Sequence, residues 1–551
     1  MCGFLTYRSA KKLMPSKSLL LRGPDEKGSI EYFDFKMNSY RLSIVGEQYG
    51  IQPTSHKESY LVYNGEIYNY IEIADKYNLS KQAFKSDTVC LHELIEKISP
   101  EKAIKELEGH YSFVWLDKLK DQIYFARDPM GVKPLFYFNL KDEIIITSDI
   151  QTLNQYFINS INKKSILEAI IFGGHTGEHT LFSSIKSTIP GSLYSYSLKS
   201  NQLIKIDYPT SLITGQISDD GIYDLLNNSV LNQSKTVVPT ACLVSSGIDS
   251  NIIKRLIPRI NPINFVCAIS EDFNFDVNDV NNDEDTIKLP IRSIYSMAHF
   301  KEWIQAYGTV PAHNNYIALC ILYKLIASNS ELNHPNRIKV ALTGEGADEY
   351  FGGYGRYIQL KKYLNGYDSH WINQLKTISK NWMFLMNSRL HHNSLKWLKE
   401  KNIDLDGLME AHVNGTGCDL NEELSLKLLS KYDIQTNLRY GLHKQDISGM
   451  LSSIEVRVPM VTQQLHFRAL NGALANASTS LSKLRLQVVA KKLGINQPKK
   501  IGFPVNLEKF IPYDYKPSEL LLDSFPFLHS SILPTEIKIS FFMIDILTKS
   551  I

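Results

Sequence analysis

ACLVSSGIDSNIIKRLI, residues 241–257, joins an apolar run to a loop of small residues and then to an apolar-periodic segment. That order predicts a strand, a tight turn and a helix. Backbone N–H groups and hydroxyls gathered at a helix N-terminus favour an anion. Asp249 cannot hold phosphate by charge, and suits a Mg²⁺ ion that bridges phosphate oxygens. The stretch lacks the G-x-x-x-x-G-K-[ST] spacing of a γ-phosphate loop. Taken alone, it also reads as a plain strand-turn-helix junction. INFVCAIS (263–270) and KVALTG (339–344) are further apolar strands alternating with helical segments. Together they predict a doubly wound α/β domain on a parallel sheet, with a largely helical part from about residue 356 onward.

Toward the N-terminus the pattern changes. RLSIVG (41–46), SYLVYN (59–64), YSFVWLD (111–117), QIYFARD (122–128) and EIIITSD (143–149) are short β-branched and aromatic runs punctuated by Gly, Pro, Asn and Asp. Helical stretches interrupt them at about 67–78 and from Ser86, where a Ser-Asp pair can cap the first turn. The mixture predicts an α+β sandwich with little parallel sheet. The boundary is expected in the polar stretch 198–221, separating a domain over 1–197 from one over 222–551.

The chain has 551 residues, 43% of them hydrophobic, enough for packed cores in more than one domain. A net charge of +3 gives no electrostatic footprint for a nucleic acid or an anionic membrane. Six cysteines, at 2, 90, 242, 267, 320 and 418, show neither zinc nor disulfide spacing. The N-terminus lacks the order of a secretory signal, and the most apolar stretch, Ala318 to Ala327, is short and broken by Lys324. A cytoplasmic protein acting on small molecules, with no nucleic-acid or membrane partner, is the expectation.

Two constellations carry chemistry. Cys2 follows the initiator Met and precedes a Gly. Removal of the Met would leave a thiol beside an α-amine that titrates near pKa ~7.7–8.0 and can act as its base. In NGEIYN (64–69), the Asn64 amide and the Gly65 N–H are the parts of an oxyanion hole. Arg41 suits an α-carboxylate, and Glu66 and Asp87 suit an α-ammonium group. That set describes hydrolysis of an amino-acid amide. Singly, the same residues also read as a hairpin turn, a helix cap and a surface cation. The second constellation is LTGEGADEYFGGY (342–354). There Thr343 and Gly344 end a strand, Glu345 sits in a Gly-flanked loop, and Asp348 can join Asp249 on a metal.

MCGF, RGPDEKG (22–28), RLSI with GIQP (50–53), NGEIYN, GHYSFVWLD (109–117), ARDPMGVKPLFY (126–137) and TLFSSIKSTIPGS (180–192) resemble the class II glutamine amidotransferase domain of glutamine-dependent asparagine synthetases. SSGIDSN (245–251) resembles the S-G-G-x-D-S signature of ATP pyrophosphatases, with Ser246 at the middle glycine and Asn251 in place of a usual Ser. HKQDISGMLSSIEVRVPM (443–460) and KKIGFP (499–504) resemble two later segments of the same family, though the Asp that ends the first of them is missing. The resemblance covers about 1–510.

The resemblance implies an N-terminal-nucleophile αββα sandwich followed by the parallel-sheet ATP-pyrophosphatase domain. It implies Cys2 as nucleophile, Asn64 and Gly65 as oxyanion hole, and glutamine held by Arg41, Leu42, Ser43, Ile44, Glu66 and Asp87. It further implies ATP and Mg²⁺, with Leu243, Ser245, Ser246, Gly247, Asp249, Ser250, Cys267, Thr343, Gly344 and Lys483 on the nucleotide and Asp249 and Asp348 on the metal. Glu345 and Lys500 take catalytic roles in forming an acyl-adenylate, which ammonia then attacks. A homodimer is allowed. The acceptor stays open between aspartate and another carboxylate such as a sugar acid. A lactam-closing enzyme, a glutaminase with an impaired synthetase site and a non-enzymatic binding module are the other readings.

Overall fold

The computed structural model describes all residues except 1, 46–47, 158–160, 207–214, 259–262, 271–285, 292–295, 331, 333–335, 473, 496–506, 530–531 and 549–551. The first strands are β1 (Cys2–Arg8), β2 (Glu26–Tyr32), β3 (Phe35–Arg41), β4 (Thr54–His56), β5 (Ser59–Ile67) and β6 (Gly109–Asp117). They are followed by β7 (Gln122–Arg127), β8 (Phe136–Leu140), β9 (Glu143–Thr147), β10 (Lys186–Ser187), β11 (Leu193–Ser197) and β12 (Leu203–Ile206). Two six-stranded sheets result, ordered β10-β8-β9-β1-β3-β2 and β12-β11-β7-β6-β5-β4.

The sheets stack because their strands alternate. Phe4, Met37 and Ile144 from one meet Val62, Val114 and Phe125 from the other in a shared core. The intervening residues face outward: Tyr63, Phe113 and Trp115 pack on helices Tyr70–Lys76 and Asp87–Ile98. β6 has both faces covered, and all of its residues are buried. This is the expected αββα sandwich. The Ser86 hydroxyl caps the helix Asp87–Ile98, accepting from Val89 N at 3.5 Å.

One expected strand is shorter than its composition suggests. β3 ends at Arg41, and 42–45 is loop rather than strand. Leu42 and Ile44 instead bury against Val340 and Met450 of the second domain, and Lys339 Nζ donates to Ser43 O at 3.1 Å. Tertiary packing has overridden β-propensity here. Within the stretch expected to link the domains, 203–206 form β12 and a helix begins at Asp219.

The second domain holds β13 (Thr240–Leu243), β14 (Ile263–Ser270), β15 (Thr286–Ile291), β16 (Val340–Leu342) and β17 (Glu455–Arg457). Their order is β15-β14-β13-β16-β17, with every pairing parallel. The chain runs outward from β13 to β15, then returns to the other side of β13. That reversal makes a topological switch point between β13 and β16, where a crevice opens at the strand C-termini. Residues after β16 are mainly helical, as expected; β17, lying inside that helical region, is the exception.

The helix Leu426–Asp433 continues through a π turn (Ile434–Leu438) into Arg439–Met450. Toward the C-terminus, the helix Thr535–Thr548 packs on Met297–Tyr307 and on Lys163–Phe172 of the sandwich, with Phe541 and Ile544 fully buried. Among the described residues no helix is long and apolar enough to cross a membrane.

Candidate active sites

Cys2 opens β1, directly opposite Arg41 of β3, and is buried. Its backbone N donates to Asn64 Oδ1 at 3.2 Å, and the Leu42 N–H hydrogen-bonds its thiol. Burial pushes the Cys2 thiol up, against the chain's amino terminus and Arg41. Asn64 Nδ2 is buried with no hydrogen-bond partner among the described residues. Left so, such a donor costs about 1–3 kcal/mol, so the side chain that meets the Cys2 backbone also carries an unused donor. Gly65 sits at φ +150°, and a Cβ there would lie 2.1 Å from His110 O. Only glycine fits.

Asp87, buried at the start of its helix, accepts from Tyr63 OH at 2.8 Å, Ile67 N at 3.3 Å and Thr88 N at 2.8 Å. Burial raises its carboxyl despite these bonds. Arg41 Nη1 pairs with Glu26 Oε2 at 2.8 Å. The Glu66 carboxylate does not stand free: Arg457 Nη2 of β17 reaches it at 3.1 Å across the domain boundary. The same guanidinium holds Glu455 closer, at 2.6 Å. One cation is thus shared by two carboxylates. Burial raises Glu66 to about 8, while Glu455, the tighter partner, is held low.

Gln52 went unrecognised as a site residue in the sequence. Its Nε2 donates to Cys2 Sγ at 3.3 Å and its Oε1 accepts from Tyr63 N at 2.7 Å. Its place in GIQP was the available signal.

At the switch point, the loop after β13 is tied internally. Ser250 Oγ accepts from Ser245 N at 3.0 Å, and Asn251 Nδ2 donates to Ser245 O at 2.9 Å and to Gly247 O at 2.8 Å. Asn251, which departs from the usual motif, therefore braces the loop. Ser246 is buried and keeps a negative φ, so its Cβ brings no left-handed strain. Leu243 and Cys267 lie on neighbouring strands beside this loop.

Lys483 joins the two loops. Its Nζ lies 2.7 and 2.6 Å from the Asp249 oxygens and 2.8 Å from Asp348 Oδ1. Burial opposes its charge, but the two carboxylates hold its pKa well above the usual lysine value. Lys483 has φ +52°, the left-handed region, at a backbone cost of about 1–2 kcal/mol. Asp249 and Asp348 thus converge on one ammonium group. Gly344 packs against Asp249, where a Cβ would lie 2.9 Å from Asp249 Cβ.

Glu345 N donates to Thr343 Oγ1 at 3.1 Å. Its carboxylate accepts from Gln445 Nε2 at 2.6 Å and lies 3.2 Å from Lys444 Nζ. Burial would raise it; Lys444 and Gln445 hold it below the usual range. Lys444 and Gln445 lie inside HKQDISGM, but the sequence did not show that they face Glu345. Lys500, with Gly502, Phe503 and Pro504, lies outside the described residues.

A Cβ on Gly353 would lie 2.0 Å from Asp348 Oδ1 and 2.1 Å from Lys483 Cε. Gly353→Ala is therefore expected to lower stability by about 1–3 kcal/mol, measured by urea denaturation; an unchanged midpoint would contradict the packing.

Residues 1–208 match the glutamine amidotransferase domain family, and residues 221–475 match the asparagine synthase family. Glutamine-hydrolysing asparagine synthetase 1 of Bacillus subtilis is 28% identical over 356 residues, which cover 62% of this chain and 55% of that protein. Putative glutamine-hydrolysing asparagine synthetase 1 of Methanocaldococcus jannaschii is 29% identical over 327 residues, 58% of this chain and 57% of that protein. Glutamine-hydrolysing asparagine synthetase 2 of B. subtilis is 26% identical over 483 residues, 81% of this chain and 62% of that protein. The matches to these curated relatives span somewhat more than half of their length. An amidotransferase-type sandwich joined to a doubly wound parallel sheet is the class that fold and sites define. Within it, the chain belongs to the family of glutamine-hydrolysing asparagine synthetases.

Proposed function

We propose that the chain makes L-asparagine: ATP, L-aspartate, L-glutamine and water give AMP, diphosphate, L-asparagine and L-glutamate. With Met1 removed, the α-amine of Cys2 takes the thiol proton and the sulfur attacks the glutamine amide. Asn64 Nδ2 and the Gly65 N–H stabilise the oxyanion. Ammonia leaves, and water hydrolyses the glutamyl thioester. Arg41 holds the glutamine carboxylate and Asp87 its ammonium group. Glu66 is the second acceptor, drawn aside by Arg457, while the backbone of Leu42, Ser43 and Ile44 borders the pocket.

In the second site the β-carboxylate of aspartate attacks the α-phosphorus of ATP, and pyrophosphate departs. Ammonia then attacks the acyl carbon and AMP leaves. Ser245, Ser246, Gly247 and Ser250 cradle the pyrophosphate, Leu243, Cys267, Thr343 and Gly344 border the nucleoside, and Glu345 orders the reacting carboxylate. Asp249 and Asp348, which already share a cation, fit and would hold a Mg²⁺ ion. That ion would supply charge neutralisation at the phosphates, and Lys483 and Lys500 would bind phosphate oxygens.

The observation that carries the reading is the convergence of Asp249 and Asp348 on Lys483 at the switch point, in one chain with a Cys2–Asn64 pair. ATP–pyrophosphate exchange with a panel of carboxylates tests it. Exchange is expected with aspartate. Exchange with a sugar acid instead would move the acceptor, and none at all would leave a glutaminase. In the same assay Ser246→Gly is expected to change the rate by less than about tenfold, ~1.4 kcal/mol of barrier. A silent wild type restored by the glycine would show the loop to be impaired.

A further inference from the structure

A cavity of about 100 Å³ lies between the domains and shares no residue with either site. The sandwich contributes Arg127, Ser187 and Thr188 to its wall; the second domain contributes Thr309, Arg439 and Tyr440. His179, exposed, marks its rim. A single water needs roughly 10–15 Å³ of such space, so there is room for one tetrahedral anion.

The charge of the wall is one-sided. Two arginines and three histidines line it, and no Asp or Glu does. Arg127 is buried and meets only neutral acceptors: Ser187 Oγ at 3.2 Å, Thr188 O at 3.3 Å and Gly131 O at 2.7 Å. Its Nε is buried with no partner, as are Thr309 Oγ1 and Tyr440 OH, among the described residues. Arg439 Nη2 donates to the Gln435 side-chain oxygen, also neutral. Among the described residues neither guanidinium has a carboxylate within ion-pair distance.

Burying a cation without a counter-ion is costly, and burying two that repel is costlier. Burial, with the charge of Arg127 behind it, lowers Arg439 to about 10. Asp128 and Asp446 act on Arg127 from behind the wall without reaching ion-pair distance, and the wall itself carries no negative charge. We propose that the cavity binds a small oxyanion of the phosphate or sulfate class, held between Arg127 and Arg439, with Tyr440 OH and Thr309 Oγ1 as further donors. Because the wall comes from both domains, the anion would fasten one to the other.

Crystals of the full chain soaked in selenate test this directly. An anomalous peak between Arg127 and Arg439 is expected. A cavity holding only water while the 245–250 loop is filled would overturn the proposal. In solution, sulfate at constant ionic strength is expected to raise the melting temperature saturably. The apparent affinity should fall at least about tenfold in Arg439→Gln, whose 245–250 loop is unaltered. Identical curves for the two proteins would overturn it. Should Arg439→Gln fail to fold, Arg439→Lys, which keeps the charge but not the forked donor, should bind more weakly than wild type; equal binding would count against the site.

Discussion

Cys2→Ala should abolish glutamine-dependent synthesis, by at least about a thousandfold, while ammonia-dependent synthesis stays within about twofold. Among the described residues the thiol's hydrogen bonds come from Leu42 and Gln52, both in the sandwich. Its neighbours are Asn64, Leu42 and Gln52, and its proposed task ends when ammonia is free. Alanine is smaller, and the buried position at the head of β1 is held by backbone pairing to β3, so folding should survive. Steady-state assays with glutamine and with ammonium salt decide the matter. Loss of both activities would refute the division of labour between two sites. Mass spectrometry of active protein should find Met1 absent, since a blocked amine cannot accept the thiol proton.

Asp249→Asn and Lys483→Met should each cut ATP–pyrophosphate exchange by at least about a hundredfold, ~2.7 kcal/mol of transition-state stabilisation. Glutaminase activity should remain within about twofold. Asp249 offers both oxygens to Lys483; the amide offers one acceptor and no charge for a metal. Removing Lys483 leaves Asp249 and Asp348 converging without a cation, which favours a proton on one of them. Near-normal exchange in either variant would remove these residues from the phosphate site.

Where the sequence was legible, a local pattern had a local cause. The alternation of β5 and β6, the Ser86 cap and the small-residue loop after β13 each follow from their own residues. The positions that misled depend on distant partners. RLSIV looks like a strand, but Leu42 and Ile44 are claimed by Val340 and Met450. β17, three residues long and lying among helices, carries no period that could announce it. Lys483 sits in a left-handed turn that brings its ammonium onto both aspartates, a contact that nothing in SLSKLRL announces. Glu66 is expected to meet a substrate ammonium, and nothing local reveals that Arg457 also meets it.

β17 also has a bearing on how the chain reaches this state. Parallel strands cannot be joined by a tight hairpin, and β16 waits for a partner that lies more than a hundred residues further along. Val340, Ala341 and Leu342 are apolar and fully buried in the finished sheet. Until 455–457 arrive, they form an open, sticky border able to recruit another chain. The late strand that closes this border also brings Arg457 to Glu66, so completing the sheet adds a buried ion pair to the docking of the sandwich. A chain stalled before that point has an unsealed edge and a loosely held neighbour together, and refolding yield should fall as protein concentration rises.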